Sequence, residues 1–339
     1  RAGIINLGTE GQMLIGALAG GFVALTMPGP GPLVFLVALL TAVVVGACWG
    51  LIAALFQTWL GVPILLTTLL LNYPARYFSS WAIRYQLKDP ESELVASKQI
   101  SESVQLPMLA PRESALGQAL ANSLGSSNPI TQVLANVNWS LIIVAALVVA
   151  VVFINKRTKY GFESGVNGQN SAFARYTGVK PAPLTLRTMA LSGGIAGGIG
   201  ALIILGAPST RLIEGQLLQT NYPWIALLVT LLALYRPGGI VIAGIFYAAI
   251  IVGAAAMGRD LGLSPQIASV IQAVVIILIA YRVAIPKRKK PGEDPERPVI
   301  PDPDPAPVTA AGPTPAADSL ATPTTATTAP AAAEQKERA

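Results

Sequence analysis

The sequence predicts an all-α polytopic membrane protein of about eight membrane segments with a disordered C-terminal tail, in a pattern that also fits internal repeats and a broken helix. Three observations predict this. Of 339 residues, 53% are hydrophobic and 12% charged, about half of the roughly 25% charge usual in a soluble domain. Residues 1–285 hold only 16 Lys/Arg and 9 Asp/Glu, and the 65 residues from Gly11 to Ala75 hold none. Apolar runs of about 18 or more residues are long enough to cross a bilayer.

Hydropathy and punctuation divide residues 1–285 into candidate spans at 11–27, 33–57, 63–84, 139–155, 185–205, 222–236, 239–257 and 266–284. Pro28-Gly29-Pro30-Gly31-Pro32 separates the first two. The span at 222–236 is short for a full crossing of about 20 residues and reads as broken or tilted. The stretch 85–138 is polar, with mixed charge and turn residues. Residues 286–339 hold 12 of the 27 prolines and no aromatic residue. Such a stretch buries too little apolar surface to offset its ordering entropy, so it reads as a disordered tail. The chain opens on Arg1 almost directly at a motif, which reads as a truncated N-terminus.

Lys and Arg in short loops mark the cytoplasmic side. Lys156, Arg157, Lys159, Arg175 and Lys180 cluster in 155–184, and Lys287, Arg288, Lys289 and Lys290 follow the last span. Four spans lie between the two clusters, so both fall on one side. This makes the C-terminus cytoplasmic and 85–138 extracytoplasmic. The formal net charge of +6 is thereby explained by topology, and no nucleic-acid partner is expected.

The chain has no His and one Cys. A His/Cys metal site, a Ser-His triad and a disulfide framework are therefore excluded. Cys48, inside an apolar run, reads as a small packing residue. In 190–202, Gly193/Gly197, Gly194/Gly198 and Ser192/Ala196/Gly200 repeat small residues every four positions, as Gly16/Gly20 do near the start. Such spacing lets helix backbones approach closely in a membrane. Glu10-Gly11-Gln12 is echoed by Glu214-Gly215-Gln216, and IGALAGG by the Gly-rich 190–202 stretch, the pattern of an internal duplication.

Three polar groups are left over by hydropathy. Asn6, Glu10 and Gln12 precede a wholly apolar helix. They serve either as a cap at the membrane surface, where the helix dipole favours an acid, or as a helix broken at depth beside a polar cavity. Thr67, Thr68 and Asn72 interrupt another apolar run. Thr68 and Asn72 are four apart and share a helix face, which suits a hydroxyl-rich neutral solute and interhelical bonding equally. The loop 161–184 exceeds a simple turn. Its residues 169–176 form one short helix stopped by Gly178, with Phe173 and Tyr176 as an apolar ridge. That ridge either docks a cytoplasmic partner or lies on lipid.

Residues 6–17, Asn6-Leu7-Gly8-Thr9-Glu10-Gly11-Gln12-Met13-Leu14-Ile15-Gly16-Ala17, closely resemble the N-x-G-x-E-G-Q-M-L-I-G-A signature of ABC transporter permeases of the branched-chain amino acid/ribose class, nucleoside-type members above all. The segment from Gly168 through Asn170, Ala172, Phe173, Arg175, Tyr176 and Gly178 resembles their G-E-N-P-x-A-A-R-x-x-G-I loop. Thr67-Thr68-Leu69-Leu70-Leu71-Asn72-Tyr73 resembles their S-T-L-M-L-N-Y. The likeness covers about residues 1–285 in order, with departures at Ile64, Gln169, Ser171 and Tyr235–Gly239. It implies a transmembrane permease domain over 1–285 whose 155–184 loop engages an ATP-binding cassette subunit through Gly168, Asn170, Ala172, Phe173, Arg175, Tyr176 and Gly178.

The resemblance further implies a second permease subunit, an extracytoplasmic solute-binding protein, and a multi-pass place in the plasma membrane. The solute expected is a nucleoside or simple sugar. Asn6, Glu10, Gln12, Thr68 and Asn72 are the expected pathway residues. The chain carries no GxxxxGK[ST] phosphate loop, so it binds no cofactor and ATP is hydrolysed by the partner. The alternative is a secondary transporter or channel for a small polar solute, which would require intramembrane carboxylates for ion coupling. A membrane enzyme would need convergent acid/base or metal-binding residues, and the spans supply none.

Overall fold

The computed structural model describes residues 2–109, 111, 113–124, 137–206, 211–215, 222–233, 235–261, 270 and 273–274. Among these the chain is helical, and the only β pairing is the isolated bridges Lys88–Ser97, Ala96–Ile213 and Met108–Asn138.

The core is three long helices: α1 (Thr9–Thr26), α2 (Gly31–Leu60) and, later in the chain, α9 (Pro181–Leu205), each packed on the other two. Pro30 in extended conformation starts α2, with a further proline in its first turn, and Gly61 at φ 69° ends it. Both choices follow from chemistry: proline suits a helix start, and glycine enters the left-handed region without penalty. Between apolar helices in lipid the hydrophobic effect supplies little attraction, so close packing has to. The Gly-rich face of α9 provides it. A Cβ on Gly193 would lie 2.4 Å from the Gly46 carbonyl oxygen, and one on Gly200 2.3 Å from that of Met13. The facing stripe Ala38, Ala42, Gly46, Gly50 on α2 is buried. The sequence reading missed it, because Ala and Gly among Val and Leu leave hydropathy unchanged.

The expected span at 63–84 is one segment in two pieces, α3 (Ile64–Leu70) and α4 (Asn72–Trp81), followed by a π-helical turn at Ala82–Gln86. Pro74 explains the break. It has no N–H to donate, and its ring opposes the carbonyl four residues back, at Leu70. The polar stretch after it covers one end of the core, where Ile100 and Val104 pack with Leu18, Val34, Leu205 and Leu212. It also carries α5 (Ala115–Leu124).

α6 (Ser140–Arg157) is apolar and buries none of its residues. With α2 and α9 it is one of three described helices long and apolar enough to cross a membrane. Two shorter apolar helices, α10 (Tyr222–Leu232) and the first part of α11 (Pro237–Leu261), pack through Val229, Ala243 and Tyr247. The loop at 155–184 differs from expectation by holding two helices, α7 (Lys159–Gln169) and α8 (Ser171–Tyr176). Thr158 caps α7 by accepting from Gly161 N, a start that Gly161, Gly165 and Gly168 conceal in the sequence. The expected span 266–284 falls outside the described residues except at 270 and 273–274, and the tail 286–339 wholly outside.

Candidate functional site

Residues 2–8 are not helical. They run from the α7 end of the molecule, where Asn167 Nδ2 donates to the Ala2 carbonyl at 2.9 Å, to the middle of α9. There Asn6 Nδ2 donates to Gln12 Oε1 at 2.8 Å and to Ser192 Oγ at 2.9 Å. Ser192 is the twelfth of the 25 residues of α9, about 16 Å along the helix axis from its start. Helix α1 therefore begins at mid-length of a helix that can span a bilayer. Non-helical backbone at such depth requires protein or water around it.

The start of α1 is not capped by its own side chains. Asn72, the first residue of α4, does this from another helix: Gly11 N donates to its Oδ1 at 2.9 Å, and its Nδ2 donates to the Leu7 carbonyl at 3.0 Å. Leu7 N donates to Thr68 Oγ1 at 3.3 Å. Thr68 and Asn72 thus straddle the α3–α4 break and both hold Leu7. Glycine at 8 and 11 permits this approach, since a Cβ on Gly8 would lie 2.9 Å from the Thr68 carbonyl oxygen. Thr67 returns its hydroxyl proton to Pro63 O.

Glu10 is 4% exposed. Its Oε1 accepts from Arg76 Nε at 2.9 Å and Nη2 at 2.5 Å, and its Oε2 accepts from Trp224 Nε1 at 3.3 Å. The structure therefore brings Asn6, Glu10, Gln12, Thr68 and Asn72 into one neighbourhood, with each bonded to protein. The sequence reading missed Arg76, Ser192 and Trp224. Arg76 was within reach: an arginine inside an expected span needs a carboxylate partner, and few exist.

Beside this network lies a cleft of about 150 Å³ between α1, α4, the end of α9 and residues 211–215. Glu214 closes one side. Ser80 Oγ donates to it, as does Arg84 Nη2 at 2.8 Å. The Ser80 hydroxyl and then Arg84 hold its carboxyl below the usual carboxylate range.

At the other end of the molecule, Asn170 caps α8 by accepting from Phe173 N at 3.0 Å, and Gly178 follows the helix at φ 88°. Ala174 is buried. Phe173, Arg175 and Tyr176 are exposed, as are Gly168 and Ala172. The short helix thus presents a ridge to the outside.

Residues 1–280 match the family described as branched-chain amino acid transport system / permease component. The chain belongs to this family. It is an ABC-type transport permease, an integral membrane protein and not an enzyme. The permease is 28% identical over 302 residues to the glucose ABC transporter permease of Haloferax volcanii, a match covering 87% of this chain and 76% of that one. It is 28% identical over 288 residues to the guanosine ABC transporter permease of Bacillus subtilis, covering 84% and 76%. It is 26% identical over 294 residues to the nucleoside ABC transporter permease of Lactococcus lactis, covering 85% and 76%. No solved structure matches it.

Proposed function

We propose that this permease carries nucleosides or simple sugars across the plasma membrane as one of a pair of subunits. An extracytoplasmic binding protein delivers the solute and a separate ATP-binding subunit supplies the energy. The observation that carries this reading is the polar network at mid-length of α9. Asn6, Glu10, Gln12, Thr68 and Asn72 gather where a bilayer-spanning core would otherwise be wholly apolar, and polar groups at depth face protein or water. Their donors and acceptors, with the one charge of Glu10 paired by Arg76, suit a neutral solute rich in hydroxyls. The names of the three relatives, two for nucleosides and one for glucose, agree with that chemistry.

In this reading residues 1–285 form the permease domain, with eight membrane segments including 266–284. Residues 85–138 lie outside the cell, 155–184 couple to the ATP-binding subunit, and 286–339 lie on the cytoplasmic side. Gly168, Asn170, Ala172, Phe173, Arg175, Tyr176 and Gly178 make the coupling contact. Tyr176 is 91% exposed at the tip of α8, an unusual position for a large aromatic residue without a partner. The test is a Tyr176→Cys variant in a Cys48→Ala background, labelled with a short thiol-directed photocrosslinker in membranes holding the assembled importer. The expected product joins the permease to the ATP-binding subunit. Crosslinking to lipid or to nothing across 168–178, in an importer that still takes up solute, sinks the coupling assignment.

A further inference from the structure

We infer that the cleft between α1, α4 and residues 211–215 is the subsite that holds the hydroxylated ring of the solute. This rests on the solute class proposed above and narrows it to a chemistry that a free monosaccharide and a nucleoside share. The first observation is an orphaned group. Ser79 is 6% exposed and lines the cleft, and its Oγ has no hydrogen-bond partner among the described residues. A buried helical serine can return its proton to the carbonyl four residues back, as Ser164 does to Tyr160 at 2.8 Å. Ser79 does not. Buried polar atoms are bonded in the great majority of cases, so a hydroxyl left free against a cavity points to a partner that enters the cavity.

The second observation is the match of the walls. Leu14, Ile83 and Ile204 supply an apolar floor, while Ser79, Ser80 and Arg76 supply a polar edge. A furanose or pyranose has the same division, with C–H groups on its faces and hydroxyls at its rim. At about 150 Å³ the cleft is below the roughly 300–1,000 Å³ of a pocket for a drug-sized ligand. It holds one ring, and a base attached to that ring would extend through the mouth.

The third observation is charge. Arg76 is paired with Glu10 and Arg84 with Glu214. The charged groups at the cleft therefore cancel in pairs, which favours a neutral ligand over an anion or a cation. Arg76 also joins the two regions, since it lines the cleft and bonds Glu10 of the central network.

The test uses the assembled importer in proteoliposomes, with labelled uridine, ribose and uracil as probes. Ser79→Ala removes one hydroxyl from a neutral hydrogen bond, so uptake of uridine or ribose should fall about three- to ten-fold with no change in melting temperature. A structural role would leave uptake unaltered, because the hydroxyl has no partner among the described residues. A second readout is thiol modification of Ser79→Cys in a Cys48→Ala background. Uridine should slow it and uracil should not, and protection by ribose as well would identify a free sugar as a ligand. Unchanged uptake in Ser79→Ala together with no protection by either ring overturns the subsite, and uptake by the unsubstituted importer would then leave the proposed function standing. An unsubstituted importer that moves uracil alone, or that moves none of the three and neither glucose nor guanosine, overturns the proposed solute class and the subsite with it.

Discussion

Replacing Gly46 with alanine should destabilise the permease through a single methyl group. Its Cβ would sit 2.5 Å from the Gly193 carbonyl oxygen, where ordinary contact begins at 3.4 Å. The obstacle is backbone, so no side chain can swing aside, and α2 and α9 must separate by about 0.9 Å at the crossing. A gap of 0.5–1 Å forfeits about a quarter to a half of each dispersion contact. For about 40 atom pairs at ~0.15 kcal/mol each, the loss is about 2 kcal/mol. Direct overpacking penalties fall in the same range, about 1–3 kcal/mol. The better helix propensity of alanine returns at most about 1 kcal/mol. Gly165→Ala is the control. Gly165 lies inside α7 with nothing within 4 Å of an added Cβ, so only the propensity gain applies. Melting in detergent, followed by the loss of helical circular dichroism, should fall by about 4–8 °C for Gly46→Ala and stay level or rise for Gly165→Ala. Equal melting temperatures for both variants and the parent would refute the view that this crossing is set by backbone contact.

Asn72→Ala should leave two backbone groups, the buried Gly11 N and the half-buried Leu7 O, without these partners. The cost is about 2–4 kcal/mol, and hydrogen exchange at Gly11 should accelerate well before global unfolding. The Glu214 contact should weaken in acid. Its carboxyl is held below the usual range by Ser80 and Arg84, so its contribution is complete above the unfolded value of about 4.3 and is lost as pH falls through the lower folded value. Proteolytic nicking within 211–215 should therefore rise only below about pH 4.5, and Ser80→Ala should move the midpoint of that rise upward.

Much of the fold was legible because the bilayer imposes it. Apolar length alone predicts α2, α6 and α9, and their observed limits fall within a few residues of the expected 33–57, 139–155 and 185–205. What hydropathy could not supply were features made of residues that are all apolar or all small. The Ala38–Gly50 stripe is one such case. The helix at Lys159–Gln169 is another, its glycines masking a start that Thr158 provides. The run through Pro74 was a different kind of error, in which a strong apolar signal overrode a proline that ends the hydrogen-bond ladder. At the site, the sequence picked out Asn6, Glu10, Gln12, Thr68 and Asn72 as costly in lipid. It could not know that residues more than 60 positions apart meet.

The missing link was a spacing already present in the sequence. Asn72, Arg76, Ser80 and Arg84 recur every four residues, which keeps them along one side of α4 and the π-helical turn after it. Together they bond two distant parts of the chain. Asn72 holds the non-helical entry to α1, Arg76 holds Glu10, and Ser80 and Arg84 hold Glu214 beyond the end of α9. The sequence reading stopped at Asn72, because the residues after it looked like the end of a span. A helix that carries two arginines past that point cannot turn them toward lipid. It has to find carboxylates, and Glu10 and Glu214, the two acids whose local sequences echo each other, both lie on this side of α4. The break at Leu71 sets this polar row apart from α3. A displacement of α4 as a unit would therefore act at once on the start of α1, on the wall of the cleft and on the 211–215 turn. Among the described helices, α4 alone hydrogen-bonds both Gly11 at the start of α1 and Glu214 in that turn.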